Sequence, residues 1–152
     1  DLARDALDAA VRSGATAPAP GAFRLQAVTL APFATPDALR RGAAKLTRLG
    51  SRVRPGDWAA WQRIQGAAPR DAAPLLFEST SLAIQAALEG LGAVICPPSY
   101  VAEDVRRRRL KRLPGQVAET GEHYWLLLPP GRARPEAAAF RDWLVAEARR
   151  EE

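Results

Sequence analysis

Apolar residues recur along this chain in short runs, and proline or glycine closes nearly every run. Leu25, Ala27, Val28, Leu30 and Phe33, bounded by Pro32 and Pro36, predict a strand. Thr35-Pro36-Asp37 then opens a short helix, with Thr35 as N-cap and Pro36 at the first helical position. Leu46 to Leu49 reads as a short strand. Pro55-Gly56-Asp57 reads as a turn whose Asp57 caps a helix carrying Trp58, Trp61 and Ile64 at helical spacing, ended by Gly66. Leu75 to Phe77 predicts a buried strand. Ser79 or Thr80 caps the next helix, whose inward face carries Leu82, Ile84, Ala87 and Leu88 before Gly90 stops it. Ala93 to Cys96 is another buried strand, closed by Pro97-Pro98, and Ser99 caps a helix that runs into a cluster of arginines. His123 to Leu128 predicts an aromatic strand closed by Pro129-Pro130. Pro135 sits near the start of a last helix with Phe140, Trp143 and Leu144 as its buried stripe.

The opening, Asp1 to Gly14, fits two patterns. Leu2, Ala6, Ala9 and Ala10 share one helical face, whereas Leu7, Ala9 and Val11 alternate as on a strand. The abundance of alanine favours helix. Strands and helices otherwise alternate with short connections, which predicts an α/β fold with mainly parallel pairing.

Composition narrows the class. At 152 residues the chain is one ordinary domain or two small lobes. Its 47% hydrophobic content supports a packed core, although much of it is alanine, which buries little area. No stretch approaches the roughly 18 consecutive apolar residues of a membrane span, so no membrane partner is expected. No basic-then-apolar leader opens the chain, and methionine is absent even at position 1, which reads as truncation or processing. With one cysteine, Cys96, and one histidine, His123, neither an internal disulfide nor a Cys/His metal set can form, and no metal or cofactor is expected. That usage fits a reducing compartment.

The net charge of +5 is concentrated. Arg106-Arg107-Arg108-Arg109, with Lys111 and Arg112, places six cations in seven residues. Such a cluster can bind phosphates; it is also how a solvated helix C-terminus looks, which is the blander and favoured reading.

Enzyme signatures are poor: no phosphate loop, dinucleotide fingerprint or nucleophile elbow appears. His123 has no acid or thiol at an informative spacing, and Cys96 lies in an apolar strand, so both read as structural. Phe77-Glu78-Ser79-Thr80-Ser81 is more informative. It leaves a buried strand and enters a helix whose N-terminus offers free N–H groups and the positive end of a dipole. Capping accounts for one hydroxyl; Glu78, Ser79, Thr80 and Ser81 together also suit a ligand site at the carboxyl end of a strand. Arg12, after another candidate strand, can fork onto a carboxylate or be a plain surface charge. Trp58 and Trp61 can stack on a base or sugar, but their spacing fits the core better.

The order of these elements resembles one family. Leu7-Asp8-Ala9-Ala10-Val11-Arg12-Ser13-Gly14 resembles the "D-v-A-v-R-x-G" strand of LysR-type transcriptional regulators, and Leu25 through Pro36 resembles their strand ending in "P-x-x-x-P". Asp57-Trp58-Ala59-Ala60-Trp61 is similar to their "D-W-x-x-W" helix. Ala86-Ala87-Leu88-Glu89-Gly90-Leu91-Gly92-Ala93-Val94, followed by Pro97, closely resembles "a-a-x-x-G-x-G-v-a". Leu110-Lys111-Arg112-Leu113, His123-Tyr124-Trp125-Leu126 and Phe140-Arg141-Asp142-Trp143-Leu144 resemble "L-v-r-l", "y-y-l" and "F-r-x-W-l". The branch that activates glycine cleavage or regulates beta-lactamase is the most similar.

The resemblance implies a type-2 periplasmic-binding-protein-like α/β fold of two lobes joined by crossover strands, with a small-molecule effector in the cleft. It assigns 28–97 to a complete second lobe, with crossovers near Leu30-Ala31-Pro32 and Ile95-Cys96-Pro97, and 1–27 with 98–152 to an incomplete first lobe. It turns the ambiguous opening into a strand around Leu7 to Val11. It implies an effector-sensing, homo-oligomerising (dimer or tetramer), cytoplasmic module of a bacterial regulator. DNA would be contacted only through a winged helix-turn-helix that this stretch lacks. Effector contacts are expected from Arg12, Thr35, Glu78, Ser79, Thr80 and Ser81, with Arg12 and the helix N-terminus favouring an acidic molecule. A half-built first lobe is expected to leave a sheet edge that another chain covers or that is disordered. Cys96, Pro98 and the four arginines depart from the family's usual residues, which leaves the effector open. An extracytoplasmic solute-binding protein of the same fold is the alternative, and a small enzyme on this scaffold is a weaker one.

Overall fold

The computed structural model describes residues 7–66, 72–129 and 134–150, which form two compact units. One comprises Asp1–Val28 with Gly121–Glu152, the other Thr29–Thr120. Strands β2 (Phe23–Ala34) and β7 (Ala118–Leu127) run from one unit into the other.

The larger unit is a sheet in the order β2, β5 (Ala93–Cys96), β3 (Arg48–Ser51), β4 (Leu75–Phe77), with β6 (Lys111–Arg112) also on β2. Pairing of β3 with β4 and with β5 is parallel, as the alternation of strands and helices predicts. Pairing of β2 with β5 and β6, and of β1 (Ala10–Gly14) with β7, is antiparallel. The expectation of mainly parallel pairing therefore holds only within this βαβ core, because β2 enters the sheet from the opposite direction.

Period-two alternation splits the apolar residues between the sheet's two faces. Ala31, Phe33, Leu49, Val94 and Cys96 pack with Ala83, Ile84 and Ala87 of α3 (Thr80–Leu88) and with Val101 and Leu110. Leu30, Ala34, Ala93 and Ile95 pack on the other face with Ala38 of α1 (Pro36–Arg40) and Trp58 of α2 (Asp57–Ile64). Trp58 is 6% exposed and donates its Nε1–H to Leu49 O at 2.9 Å; half-buried Trp61 donates to Gln116 O at 3.0 Å. Both indoles thus satisfy their polar atom inside the unit and read as packing.

The glycine motif has two distinct causes. Gly90 ends α3 with φ 80, a left-handed conformation that L side chains rarely adopt. Gly92 has no room for a side chain: a Cβ there would stand 2.1 Å from Thr47 O, next to the Ala93 N–H to Thr47 O bond that starts β5.

Several local expectations shift. Gly56, not Asp57, is the N-cap of α2, and the Asp57 carboxylate instead holds Arg54 with N–O distances of 3.0 and 3.1 Å. Leu82 is 51% exposed, because the inward stripe of α3 falls on Ala83, Ile84 and Ala87. Ser99 caps nothing: Pro98–Val101 is a 3-10 turn, and α4 (Ala102–Arg106) begins after it with Val101 at the cap. Residues 98–120, which the resemblance allots to the first lobe, pack with 29–97 instead. Val101 and Leu110 enter that unit's core, and Leu113 N donates to Pro32 O at 2.9 Å.

The smaller unit is the sheet β1-β7-β2 with α5 (Pro135–Arg150). The opening resolves as strand from Ala10, slightly later than Leu7 to Val11, and the first six residues of the alternative helix lie outside the described residues. Gln26 Nε2 donates to Ala148 O at 3.3 Å. The stripe that α5 turns inward is Ala137, Arg141, Leu144 and Ala148, so Trp143 is 57% exposed and Phe140 is also exposed. Strand β1 is the outermost strand of its sheet and has no second partner among the described residues.

Candidate functional site

The parallel pair β3–β4 sets the candidate site. Register Ser51↔Phe77 brings the carboxyl ends of both strands together, and Arg52 N donates to Phe77 O at 2.8 Å. The segments that leave the two strands are therefore neighbours: the turn 51–56 on one side, Glu78 and the N-terminus of α3 on the other. Ser79 is the N-cap with extended backbone, and its Oγ accepts from Leu82 N at 3.2 Å. Its carbonyl accepts from Ala83 N. The N–H groups of Thr80 and Ser81 are left without an intrahelical acceptor, and the hydroxyls of these two residues make no hydrogen bond among the described residues. Ser79 and Thr80 are half-buried, Ser81 and Glu78 exposed. Capping thus uses one of the three hydroxyls, as expected, and leaves two hydroxyls and two backbone donors beside a helix dipole, a constellation that suits an anionic oxygen ligand.

Sequence reasoning missed the residues opposite. Arg52 pairs with Glu78 at 3.2 Å, both exposed; Ser51 Oγ accepts from Val53 N at 3.2 Å; Val53 stands 73% exposed at the turn. The signal was present, because two strands read as parallel neighbours must end side by side.

Thr35 is not part of this cluster. Phe33 is paired with Val94 and Ala31 with Cys96, so antiparallel β2 delivers Thr35 to the end of the sheet where β5 and β3 begin, away from Ser51 and Ser79. There it caps α1, accepting from Ala38 N at 3.2 Å, and lines a separate concavity of about 530 Å³ with Arg41 and Gly90. Arg12 lies in the smaller unit, exposed on β1 opposite Trp125.

Cys96 is not an activated nucleophile. Burial pushes the Cys96 thiol up to about 12, with the Asp57 charge adding to the effect, so the thiolate is suppressed at neutral pH. Among the described residues no group of three or more His, Cys, Asp or Glu could hold a metal ion, and no helix is long and apolar enough to cross a membrane.

Comparison with known proteins places this geometry. The chain is 33% identical over 99 residues to the AhcY transcriptional activator HvrB of Rhodobacter capsulatus, a match covering 63% of this chain and 34% of HvrB. The matched part thus spans about a third of that curated relative's length. The effector domain of the transcriptional regulator AmpR of Pseudomonas aeruginosa superposes with a TM-score of 0.82 at 25% identity, over 99% of this chain and 76% of that one. The regulatory domain of CrgA, a LysR-type transcriptional regulator from Neisseria meningitidis, shares the fold with a TM-score of 0.75 at 21% identity, over 96% and 78% of the two chains. The fold is the mixed α/β, type-2 periplasmic-binding-protein-like fold of such domains. The model of the LysR substrate binding domain matches residues 1–149, and the chain belongs to that family.

Proposed function

We propose that this chain is the effector-sensing and oligomerising part of a LysR-type, DNA-binding transcriptional regulator that works in the bacterial cytoplasm. The observation that carries the reading is the family match over residues 1–149. Relatives named as a transcriptional activator and as the effector domain of a transcriptional regulator support it. In this reading DNA is engaged by a winged helix-turn-helix of the same polypeptide, and effector occupancy biases the conformation of the sensing domain.

The effector is a small acidic molecule whose carboxylate or similar oxygens are taken by the first turn of α3. Thr80 and Ser81 supply hydroxyl and backbone donors, Ser79 holds the turn open, and Glu78 keeps Arg52 beside it. Arg12 is a further proposed carboxylate contact, judged by its own variant. Thr35 is left out of the proposal, since its hydroxyl caps α1 at the other end of the sheet.

A thermal-shift screen of small mono- and dicarboxylates, followed by calorimetry on the best binder, tests this. Thr80→Val is expected to weaken binding about tenfold, the worth of one hydrogen bond to a charged group, without altering the melting temperature by much. Arg12→Ala is expected to weaken it similarly. Unchanged affinity in both variants would contradict the site. A screen in which only cationic or apolar compounds bind would contradict the acidic class. Light scattering that finds a monomer at all concentrations would contradict oligomerisation.

A further inference from the structure

Charge is unevenly shared along the chain. Residues 29–120 hold 14 Lys and Arg against 8 Asp and Glu, and the remaining residues hold 8 against 9. The excess is densest at 106–112, where six cations occupy seven positions. Two carboxylates answer them. Glu103 takes both Arg106 and Arg107, and Asp104 takes Arg109. Arg108, Lys111 and Arg112 have no ion pair among the described residues, and all six side chains are exposed.

A solvated helix end explains part of this and no more. Cations are favoured in the last turn of a helix, but α4 has only five residues, and Lys111 and Arg112 lie beyond it on β6. Arg108 is the sharper observation. It is the one non-glycine residue with positive φ, 59°, among those described. Arg108 N donates to Val105 O and Arg109 N to Asp104 O, which is the helix stop that normally places glycine at this position. The chain has glycine at comparable stops after α2 and α3, at Gly66 and Gly90, and an arginine here. A positive charge is held where the backbone disfavours a side chain.

The cations also stand on a fixed frame. Fully buried Val101 and Leu110 flank the four arginines, Lys111 and Arg112 pair with Ala34 and Phe33 of β2, and Leu113 N donates to Pro32 O. Adjacent residues of a strand point to opposite faces, so a duplex laid along the four arginines meets one of Lys111 and Arg112, which extends the array beyond the turn. An array of exposed guanidinium groups on rigid backbone fits a polyanion with regularly spaced charges, which single small molecules do not offer.

We propose that the segment 106–112 is a docking ridge for the phosphate backbone of duplex DNA, independent of base sequence and of the helix-turn-helix. The choice of DNA over other polyanions rests on the reading that this chain works in a DNA-bound regulator; the ridge would steady the sensing domain against the duplex beside the operator.

The test is fluorescence anisotropy of the chain with a labelled duplex of arbitrary sequence, from about 50 mM salt upward. Binding is expected, with a log–log salt slope of about −3 to −4 for roughly four phosphates neutralised. The triple variant Arg108→Gly, Lys111→Gln, Arg112→Gln should lose at least tenfold in affinity and flatten the slope by about 2. Arg108→Gly suits the local backbone, and the two glutamines keep the β6 pairing, so a folded variant is expected and circular dichroism checks it. A control that removes three charges from the other unit, Arg24→Gln, Arg134→Gln, Arg149→Gln, should bind like wild type. Equal losses in both triple variants, no loss in the ridge variant, or no binding by the wild type would each overturn the proposal. So would binding of anionic vesicles in preference to the duplex. None of these outcomes touches the effector reading, whose calorimetry contains no DNA.

Discussion

The two units of this molecule are built to different standards of burial. In Thr29–Thr120 the sheet is covered on both faces, and Leu30, Leu49, Val94, Val101 and Leu110 are fully buried. In the other unit Leu126 is the only large side chain buried to that degree among the described residues besides Val28, while Leu7, Val11, Phe23, Phe140 and Trp143 are exposed. A unit that buries its large apolar groups on two sides gains the transfer free energy of each and holds its polar turns rigidly. One that leaves aromatic rings in water invites a further surface. The proposed effector turn and the basic ridge both belong to the well-buried unit, where a fixed frame can hold donors in place. Of the exposed aromatic rings, Phe23, Phe140 and Trp143 belong to the smaller unit and Tyr100 to the larger.

Point substitutions put this contrast at risk. Trp58→Ala should cost about 3–5 kcal/mol in urea unfolding, since it opens a cavity and leaves Leu49 O without its donor. Trp143→Ala, which removes an equal side chain from an exposed position, should change stability by no more than about 0.5 kcal/mol. Comparable losses in the two would remove the contrast. Gly92→Ala is expected to cost about 1–3 kcal/mol, because the new Cβ collides with backbone, Thr47 O, which can move only by parting β3 from β5.

The well-buried unit also carries a pH dependence. The Cys96 thiol is held up at about 12 in the folded chain by burial, with Asp57 adding, against an ordinary 9.0. The folded pKa is raised, so the contribution to stability is complete below pH 9 and is lost as pH rises from about 9 to about 12, where only the unfolded thiol ionises. Unfolding at alkaline pH should therefore be less pH-dependent in Cys96→Ala than in wild type, although the variant is less stable at neutral pH. Identical slopes would place the thiol in a wetter setting than its burial implies. A small effect of opposite sign belongs to the ridge. Arg108→Gly should stabilise the chain by up to about 1 kcal/mol, relief of a left-handed arginine being partly offset by the entropy glycine adds to the unfolded state.

The sequence signals were good where local chemistry decides. Thr35 and Ser79 cap the helices their spacing predicts, Gly66 and Gly90 end helices with positive φ, and the short apolar runs at Leu75 and Ala93 are strands. They failed where a one-residue rotation of a helix matters. Leu82 and Trp143 are apolar and correctly spaced, yet both are exposed: Ala83 takes the buried stripe beside Leu82, and Leu144 turns further inward than Trp143. They failed also where strand direction matters. Thr35 and Ser79 both come after strands, but periodicity does not distinguish antiparallel β2 from parallel β4, so it groups into one site two residues that the sheet separates. Arg52 and Val53 escaped notice for the converse reason, being distant in sequence from Glu78 and joined to it only by the β3–β4 register.

Amide NMR of the labelled chain, titrated with the best binder from the carboxylate screen, locates the effector most directly. The largest shift changes are expected on residues 78–81 and 51–54, and Thr80→Val should weaken them together. Changes confined to the α1 end of the sheet, around Thr35, Arg41 and Gly90, would contradict the proposed site.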